Sequence, residues 1–597
     1  MIIGGRMRLG KEWMLACVAL AGCQDVIDLD PVDRRAPVEA AVRPKPISGG
    51  TLTITPDGST AVAADPDRDL VHVVSLSSSR VQHTIALEPG DEPGRVVLGT
   101  GSLAHVVLRG AGGLATVDLE AGTVRSRQQL CPDPRGLAFD AELATLHVAC
   151  ADGTLVSLDE ASGAELERKQ LSPDLRDVVL VNGELYVSQL RSASILGEDG
   201  IRLATPGAAP DSVPTVAWRT WVGNDGRLWM LHQLASTQPV PTEPPPPDDK
   251  GDGGGFDGGG DGDLPYGGGG GCQMGIAGAA LTSFTNGQPQ TIPVPGAALS
   301  VDAAVSPDGA FIALAMPGAE EGKPSFGVMF ADEFCAFTEF FGGERDEGDP
   351  ERNKEQVTAV AFTPNGTLVM QSREPARILV QYELPFGELT TIELEGESRY
   401  DTGHEIFHRR TDSGLSCATC HPEGTDDGHV WVFEGLGKRR TQPLDVGLEG
   451  TAPFHWDGDM SDLDVLMTEV LAHRMGGMRQ SGDRHESFSR WLFAQQRPPA
   501  KTGGDAVLVA RGEELFTNFD CGHCHTGDVL GGTMTAPIRD KELQVPSLRR
   551  VSLHPPFMHD GRSRTIEDAV RDMIETTTSA NASPEDVAAL SAYMRML

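Results

Sequence analysis

Apolar and polar residues alternate in short runs through the first two thirds of the chain. Residues 50–64 (GTLTITPDGSTAVAA), 70–74 (LVHVV) and 81–86 (VQHTIA) show the pattern. A period of two places every second side chain on one face, the signature of a half-buried strand. The runs are separated by turn formers: Pro56-Asp57-Gly58, Asp152-Gly153, Pro307-Asp308-Gly309 and Pro364-Asn365-Gly366. Such turns join antiparallel neighbours. The whole unit recurs at roughly forty residues, a period that marks propeller blades. About seven blades are expected over residues 46–394.

After Arg399 the period changes. Leu463, Leu466, Met467, Val470 and Leu471 fall on one helical face, as do Ile566, Ala569, Val570, Met573 and Ile574. Ser461 and Thr565 are the expected N-caps of these helices. The expected fold is therefore multidomain: an all-β propeller followed by two mainly α domains, 400–498 and 505–597. Residues 241–272, Pro-rich and then Gly- and Asp-rich, form an insertion in blade five that has too little apolar surface to fold alone.

Composition narrows the partners. The 597 residues carry a formal net charge of -37, which repels nucleic acid and leaves a basic protein partner open. Arg6, Arg8 and Lys11 precede a short apolar run ending in Leu20-Ala21-Gly22-Cys23. The run is too short to span a bilayer and reads as a secretory signal over 1–23. Its end resembles a bacterial lipobox, in which Cys23 takes the lipid; an ordinary signal peptide or a short anchor are the alternatives. Residues 24–45 read as a tether. The expected location is the periplasmic side of a bacterial membrane or the cell surface.

Ten cysteines remain to be placed. Cys417-Ala418-Thr419-Cys420-His421 and Cys521-Gly522-His523-Cys524-His525 share the C-x-x-C-H spacing, in which two thiols add to the vinyl groups of a haem and the histidine ligates its iron. Chance would supply roughly 0.005 such windows in a chain of this composition. Zinc or disulfide bonding is the alternative, but zinc needs a second ligand pair near each window. Two covalent haem c groups are expected, each in a cytochrome c domain. Beyond the signal-region, lipid and haem cysteines, Cys131, Cys150, Cys272 and Cys335 form an even set, read as Cys131–Cys150 and Cys272–Cys335 disulfides.

The C-terminal third is internally duplicated. Cys417 and Cys521 stand 104 residues apart, and Asp457-Gly458 and Asp560-Gly561 stand 103 apart. Residues 403–407 (GHEIF) and 512–516 (GEELF) lead into the two windows. His421 and His525 supply one axial ligand each, so the opposite position decides between an electron carrier and a substrate site. Met573 is a candidate ligand or a core residue; its counterpart in the first copy is Val470, which cannot bind iron. His429 and His455 are candidates for a displaceable ligand there.

Residues 400–597 resemble the bacterial di-haem cytochrome c peroxidase and MauG superfamily. The resemblance rests on Cys417–His421, Gly428-His429-Val430-Trp431, Phe454-His455-Trp456-Asp457-Gly458, Cys521–His525, Pro546-Ser547-Leu548-Arg549 and Phe557-Met558-His559-Asp560-Gly561. It implies a low-potential peroxidatic haem at His421 and a high-potential haem at His525 with Met573 as axial ligand. It places His429 at the displaceable ligand and Trp456 between the haems. It also implies calcium between the domains, at positions matching Thr441, His554 and Pro556, where threonine lacks the family's amide ligand. The catalytic glutamate of the peroxidases matches Gly476, leaving Glu469 or His473 as substitutes. The implied activity is reduction of hydrogen peroxide with electrons from a small donor protein, such as a basic cytochrome. Two alternatives stay open: a non-catalytic electron-transfer cytochrome, and a propeller-based binding protein in which the haems sense redox state. No blade carries a His/Asp/Glu cluster, and the propeller's ligand is not legible.

Overall fold

The computed structural model describes residues 32–208, 210–223, 226–243, 264–267, 274–294, 296–297, 299–319, 325–331, 355–384, 387–499, 504–578 and 581–597. Seven antiparallel sheets follow one another in the chain: 52–86, 93–129, 134–170, 175–204, 212–294, 302–330 and 357–393. Six have four described strands, and the sixth sheet has three. The first strands of neighbouring sheets contact one another around a ring, which makes a seven-bladed propeller as the repeat predicts.

Local chemistry explains the blades. The first and last blades use one turn: Gly58 N–H donates to the Thr55 carbonyl at 2.8 Å and Gly366 N–H to that of Thr363 at 3.0 Å. Gly309 repeats it with Ser306 at 2.9 Å. Each glycine has φ between 72° and 88°, where other residues are strained. Inner strands are buried, as at Val71 and Val73, whereas the outermost strand of blade two, Thr123–Gln129, faces solvent. Blade three is stapled by a Cys131–Cys150 disulfide, as expected, which closes a loop worth about 3 kcal/mol. Cys23, Cys272 and Cys335 lie outside the described residues, as does most of the blade-five insertion.

Among the described residues no strand is shared between the first and last blades. One backbone bond, from Gly50 N–H to the Thr358 carbonyl at 3.2 Å, and several side chains close the ring instead. Thr51 Oγ1 donates to Gln371 Oε1 at 2.8 Å, Gln371 Nε2 to the Ala64 carbonyl at 2.7 Å, and Arg68 pairs with Glu374 at 2.9 Å.

The segment 32–48, read from sequence largely as tether, lies against the first helical domain before it enters the propeller. Val32–Asp33 pairs in parallel with Arg479–Gln480. Val38 and Thr402 exchange hydrogen bonds of 2.9 and 2.8 Å, and Trp491 Nε1 donates to the Pro44 carbonyl at 3.0 Å.

The two helical halves share one plan. Thr402–His408 packs on Gly482–Phe493, and Ala506–Asn518 on Pro584–Met594. A glycine sits at each crossing: a Cβ on Gly403 would lie 2.4 Å from Trp491 Cβ, and one on Gly512 would lie 2.1 Å from the Ala589 carbonyl oxygen. The matched turns also agree. Phe454 bridges Met460 and Phe557 bridges Ser563, with His455 and Met558 both left-handed at φ 64° and 69°.

The following helices differ. Thr565 caps Ile566–Thr577 by accepting from Asp568 N at 3.1 Å, as expected. In the first copy the cap is Asp462, accepting from Val465 N at 2.9 Å, and Ser461 only bonds Asp462. A carboxylate one residue on is the better acceptor for the first-turn N–H groups. That helix then widens into a π-helix over Met467–Arg474.

Candidate haem sites

The first window sits beneath the propeller. Cys417–Cys420 is a short helix, and Gln233 of blade five donates to the Thr419 carbonyl at 3.0 Å. His421 Nδ1 donates to the Thr425 carbonyl at 3.1 Å, which fixes the tautomer with the Nε2 lone pair free. The second window repeats this: His525 Nδ1 donates to the Leu530 and Pro546 carbonyls at 3.1 and 3.2 Å. Burial holds both imidazoles below the usual histidine range, hence neutral and able to ligate. None of the four window cysteines is tied up in a disulfide, and burial pushes the Cys417 thiol up to about 12 and the Cys521 thiol up to about 11.

These residues fit haem. Val470 and Met573 are half-buried, as are Leu466 and Val570 on the same helix faces, apolar surface of the kind a porphyrin plane covers. Among the described residues no group of three or more His, Cys, Asp or Glu is arranged to hold a metal ion.

The other sequence candidates fall into two groups. Trp456 joins the halves: its Nε1 donates to the Arg440 carbonyl at 2.6 Å, and its ring meets that of His559 at 6.2 Å. His559 is its counterpart in the duplication and was not singled out from sequence; only the 103-residue offset signals it. His429 packs edge-on against Trp431 and donates from Nε2 to the Ser236 carbonyl of blade five at 3.1 Å. To ligate iron through that atom it must surrender this bond. Glu469 and His473 lie 3.5 Å apart, one turn from each other on the π-helix, with side chains nearly half exposed. They form a solvent-facing pair. His455 pairs with Asp459 at 3.5 Å on the turn that precedes Trp456.

Sequence reading missed Tyr266, which flanks the blade-five insertion. It is 8% exposed and packs in one apolar cluster with Trp431 and Met475, against which Cys420 and Val470 rest. The Arg474 guanidinium faces its hydroxyl, although burial still raises the phenol pKa. Leu264, two residues earlier, fills the space beside Gly476: an added Cβ there would lie 2.5 Å from Leu264 Cδ1. Contact with the far end of the chain carries no periodic signal, so this residue was not legible. Asp427 was missed too. Its N–H donates to the Cys420 carbonyl at 3.0 Å, and burial pushes its carboxyl up to about 7.

The positions matched to calcium do not fit that ion. The His554 carbonyl accepts from Arg440 Nη2 at 2.8 Å, and Thr441 Oγ1 accepts from Trp431 Nε1 at 3.1 Å. A guanidinium occupies the place of a cation. Its charge is matched by Asp426, 2.9 Å from Arg440 and 2.6 Å from His554 Nδ1. Arg191 of blade four completes the junction, 3.2 Å from Asp426 and 2.6 Å from Asp174. These cations hold Asp426 well below the usual carboxylate range despite its burial.

The cytochrome c family matches residues 509–597. The cytochrome c551 peroxidase of Nitrosomonas europaea is 22% identical over 287 residues, covering 36% of this chain and 84% of that protein. The cytochrome c peroxidase Ccp of Escherichia coli is 28% identical over 264 residues, 33% of this chain and 57% of its own length, so the chain spans little more than half of that relative. Among solved structures, Kuenenia stuttgartiensis hydrazine synthase aligns with TM-score 0.41 at 13% identity, over 60% of this chain and 99% of that one. A streptogramin B lyase aligns with TM-score 0.37 at 14% identity, over 58% and 94%. The chain thus joins a seven-bladed propeller to a helical region that ends in a cytochrome c domain, binds haem c covalently, and is similar to bacterial cytochrome c peroxidases.

Proposed function

We propose that the chain is an exported di-haem oxidoreductase that reduces hydrogen peroxide to two waters, consuming two electrons and two protons. The observation that carries this reading is the inequality of the two copies. Both windows set a histidine with Nε2 free, yet the equivalent helical positions hold Met573 in one and Val470 in the other. A thioether closes its site and favours the reduced metal; a valine leaves room for a small oxidant.

When bound, haem supplies a redox-active iron that passes electrons to the peroxide O–O bond. The chain's own residues do the rest. Trp456 and His559 bring aromatic rings from the two halves together and offer a short route between them. Tyr266 and Arg474 place a phenol and a guanidinium beside Cys420 and Val470, where the family's glutamate matches Gly476. A buried phenol can donate a hydrogen bond to a bound oxidant, and a guanidinium can steady developing charge. Glu469 and His473 face solvent and suit proton delivery from outside. Electrons enter at the exposed second window, from a small donor protein of the basic kind that a charge of -37 attracts. Export and lipid attachment at Cys23 complete the reading.

Spectra test it. Absorption and EPR of the purified protein should show one high-spin or readily displaced haem that binds cyanide, and one low-spin haem that does not. A second reading, a pure electron carrier, draws on His455, the other candidate ligand of the first haem, which stands in the turn just before Trp456. It requires both haems low-spin in both redox states and no peroxide consumption. Mass spectrometry of the mature chain counts the haems and tests for lipid on Cys23.

A further inference from the structure

Glu423 is a charged residue that no redox step above uses, and it is almost completely buried. It stands two residues after His421 in the turn Pro422–Gly424, at φ 55° and ψ 25°, a conformation that favours glycine. Its side chain is 1% exposed. Arg109 Nη2 donates to its carboxylate at 2.7 Å, Arg176 Nη1 donates to the other oxygen, and Arg135 Nε lies 3.9 Å away. Arg135 and Arg176 come from the innermost strands of blades three and four, and Arg109 follows the second strand of blade two. The carboxylate therefore sits in the axial end of the propeller, ringed by three blades.

Both sides of this charge need each other. A carboxylate this deep persists only when paired, and arginines gathered without an anion repel. The backbone is seated as tightly: a Cβ on Gly424 would lie 2.7 Å from Pro46, and one on Gly428 would lie 2.9 Å from Arg191. Arg191 Nε also donates to the Asp426 carbonyl at 3.0 Å. The Thr425 carbonyl that orients His421 lies inside the stretch so held.

We propose that the propeller is a socket for the loop of the first haem, and that Glu423 is a positioning residue which fixes Thr425 and, through it, the His421 imidazole. This gives the propeller a part in the redox site itself. It rests on the reading that His421 takes a haem iron.

The test uses the full-length holoprotein carrying Glu423→Gln, which keeps shape and removes charge. Amide exchange across 421–428 should quicken by roughly two orders of magnitude, the order expected when one partner of a buried ion pair is lost. The EPR signal of the first haem should shift and its midpoint potential should rise, because a negative charge is gone, while the second haem stays as in wild type. Arg109→Gln, made from the propeller side, should reproduce the faster loop exchange and the altered EPR signal while moving the midpoint potential the other way, because a positive charge is gone, and the double variant should exchange little faster than either single variant. It also serves if Glu423→Gln does not fold. Unchanged loop exchange and an unchanged first-haem signal, with only a lower melting temperature, would overturn the proposal. Free Cys417 and Cys420 by mass spectrometry would instead overturn the haem reading, while loop exchange would still report on docking.

Discussion

The two haem windows are copies of one design placed in opposite surroundings. The stretch 421–427 is buried almost throughout beneath the propeller, whereas Gly522, His523 and Thr526 of the second window are exposed. The first is followed by a π-helix bearing Val470, the second by a regular helix bearing Met573. The local motif sets the spacing of the two thiols and leaves the same imidazole nitrogen, Nε2, without its proton in both copies. What surrounds the motif assigns its role: the exposed copy suits exchange with a soluble protein, and the enclosed copy suits controlled access of a small oxidant.

The most severe way to break this inequality is to erase it. Val470→Met should give the first haem a thioether ligand, abolish peroxide consumption and leave the second haem's spectrum intact; retained turnover would remove the basis of the proposed function. Tyr266→Phe should lower turnover by roughly 10²–10⁴-fold, the usual share of a proton-donating side chain, with both haems still attached. Stopped-flow peroxide assays measure both.

The docking of the first half has no counterpart in the second. Asp426→Asn leaves Arg191, Arg440 and His554 short of their anion, and should cost about 3–5 kcal/mol in urea unfolding. Acid separates the halves as well. His408, on the first leading helix, accepts from Ile47 N at 3.1 Å, and burial holds it down to about 3, whereas its counterpart Thr517 is exposed and does not titrate. With its pKa depressed in the folded state, its contribution is complete above about 6.5 and is lost as pH falls. Between pH 6.5 and 5 this one group should remove about 2 kcal/mol, and His408→Gln should flatten that slope. Last, Thr565→Ala should cost about 1 kcal/mol by losing a cap, and Ser461→Ala close to nothing, since Asp462 does the capping there.

Periodic and covalent features were legible in the sequence. Strand alternation, the turn triplets and the forty-residue repeat gave the propeller, and the cysteine parity gave Cys131–Cys150. The windows and the offset of the duplication gave the two halves and their matching turns. Contacts between distant parts of the chain were not legible. Tyr266 and Glu423 acquire their meaning from partners more than a hundred residues away, through burial and charge, and neither leaves a local pattern. Ser461 was misread as a cap for a smaller reason: two good acceptors stand side by side, and the chain uses the carboxylate.

Among the described residues the ring of blades closes without a shared strand, and this has a mechanical meaning. A propeller that interlocks its ends with a common strand must unravel that strand to open; this one opens by parting Gly50, Thr51, Arg68 and Gln371 from their partners and the apolar layer that the two blades share. The entry to the first helical half lies over that gap, since Arg399 donates to the Asp67 carbonyl and Arg373 reaches Asp67, the Arg399 carbonyl and, at 3.5 Å, His404 of the first helix. The redox part therefore latches the wheel on which it rests, and cutting the chain between them would loosen both.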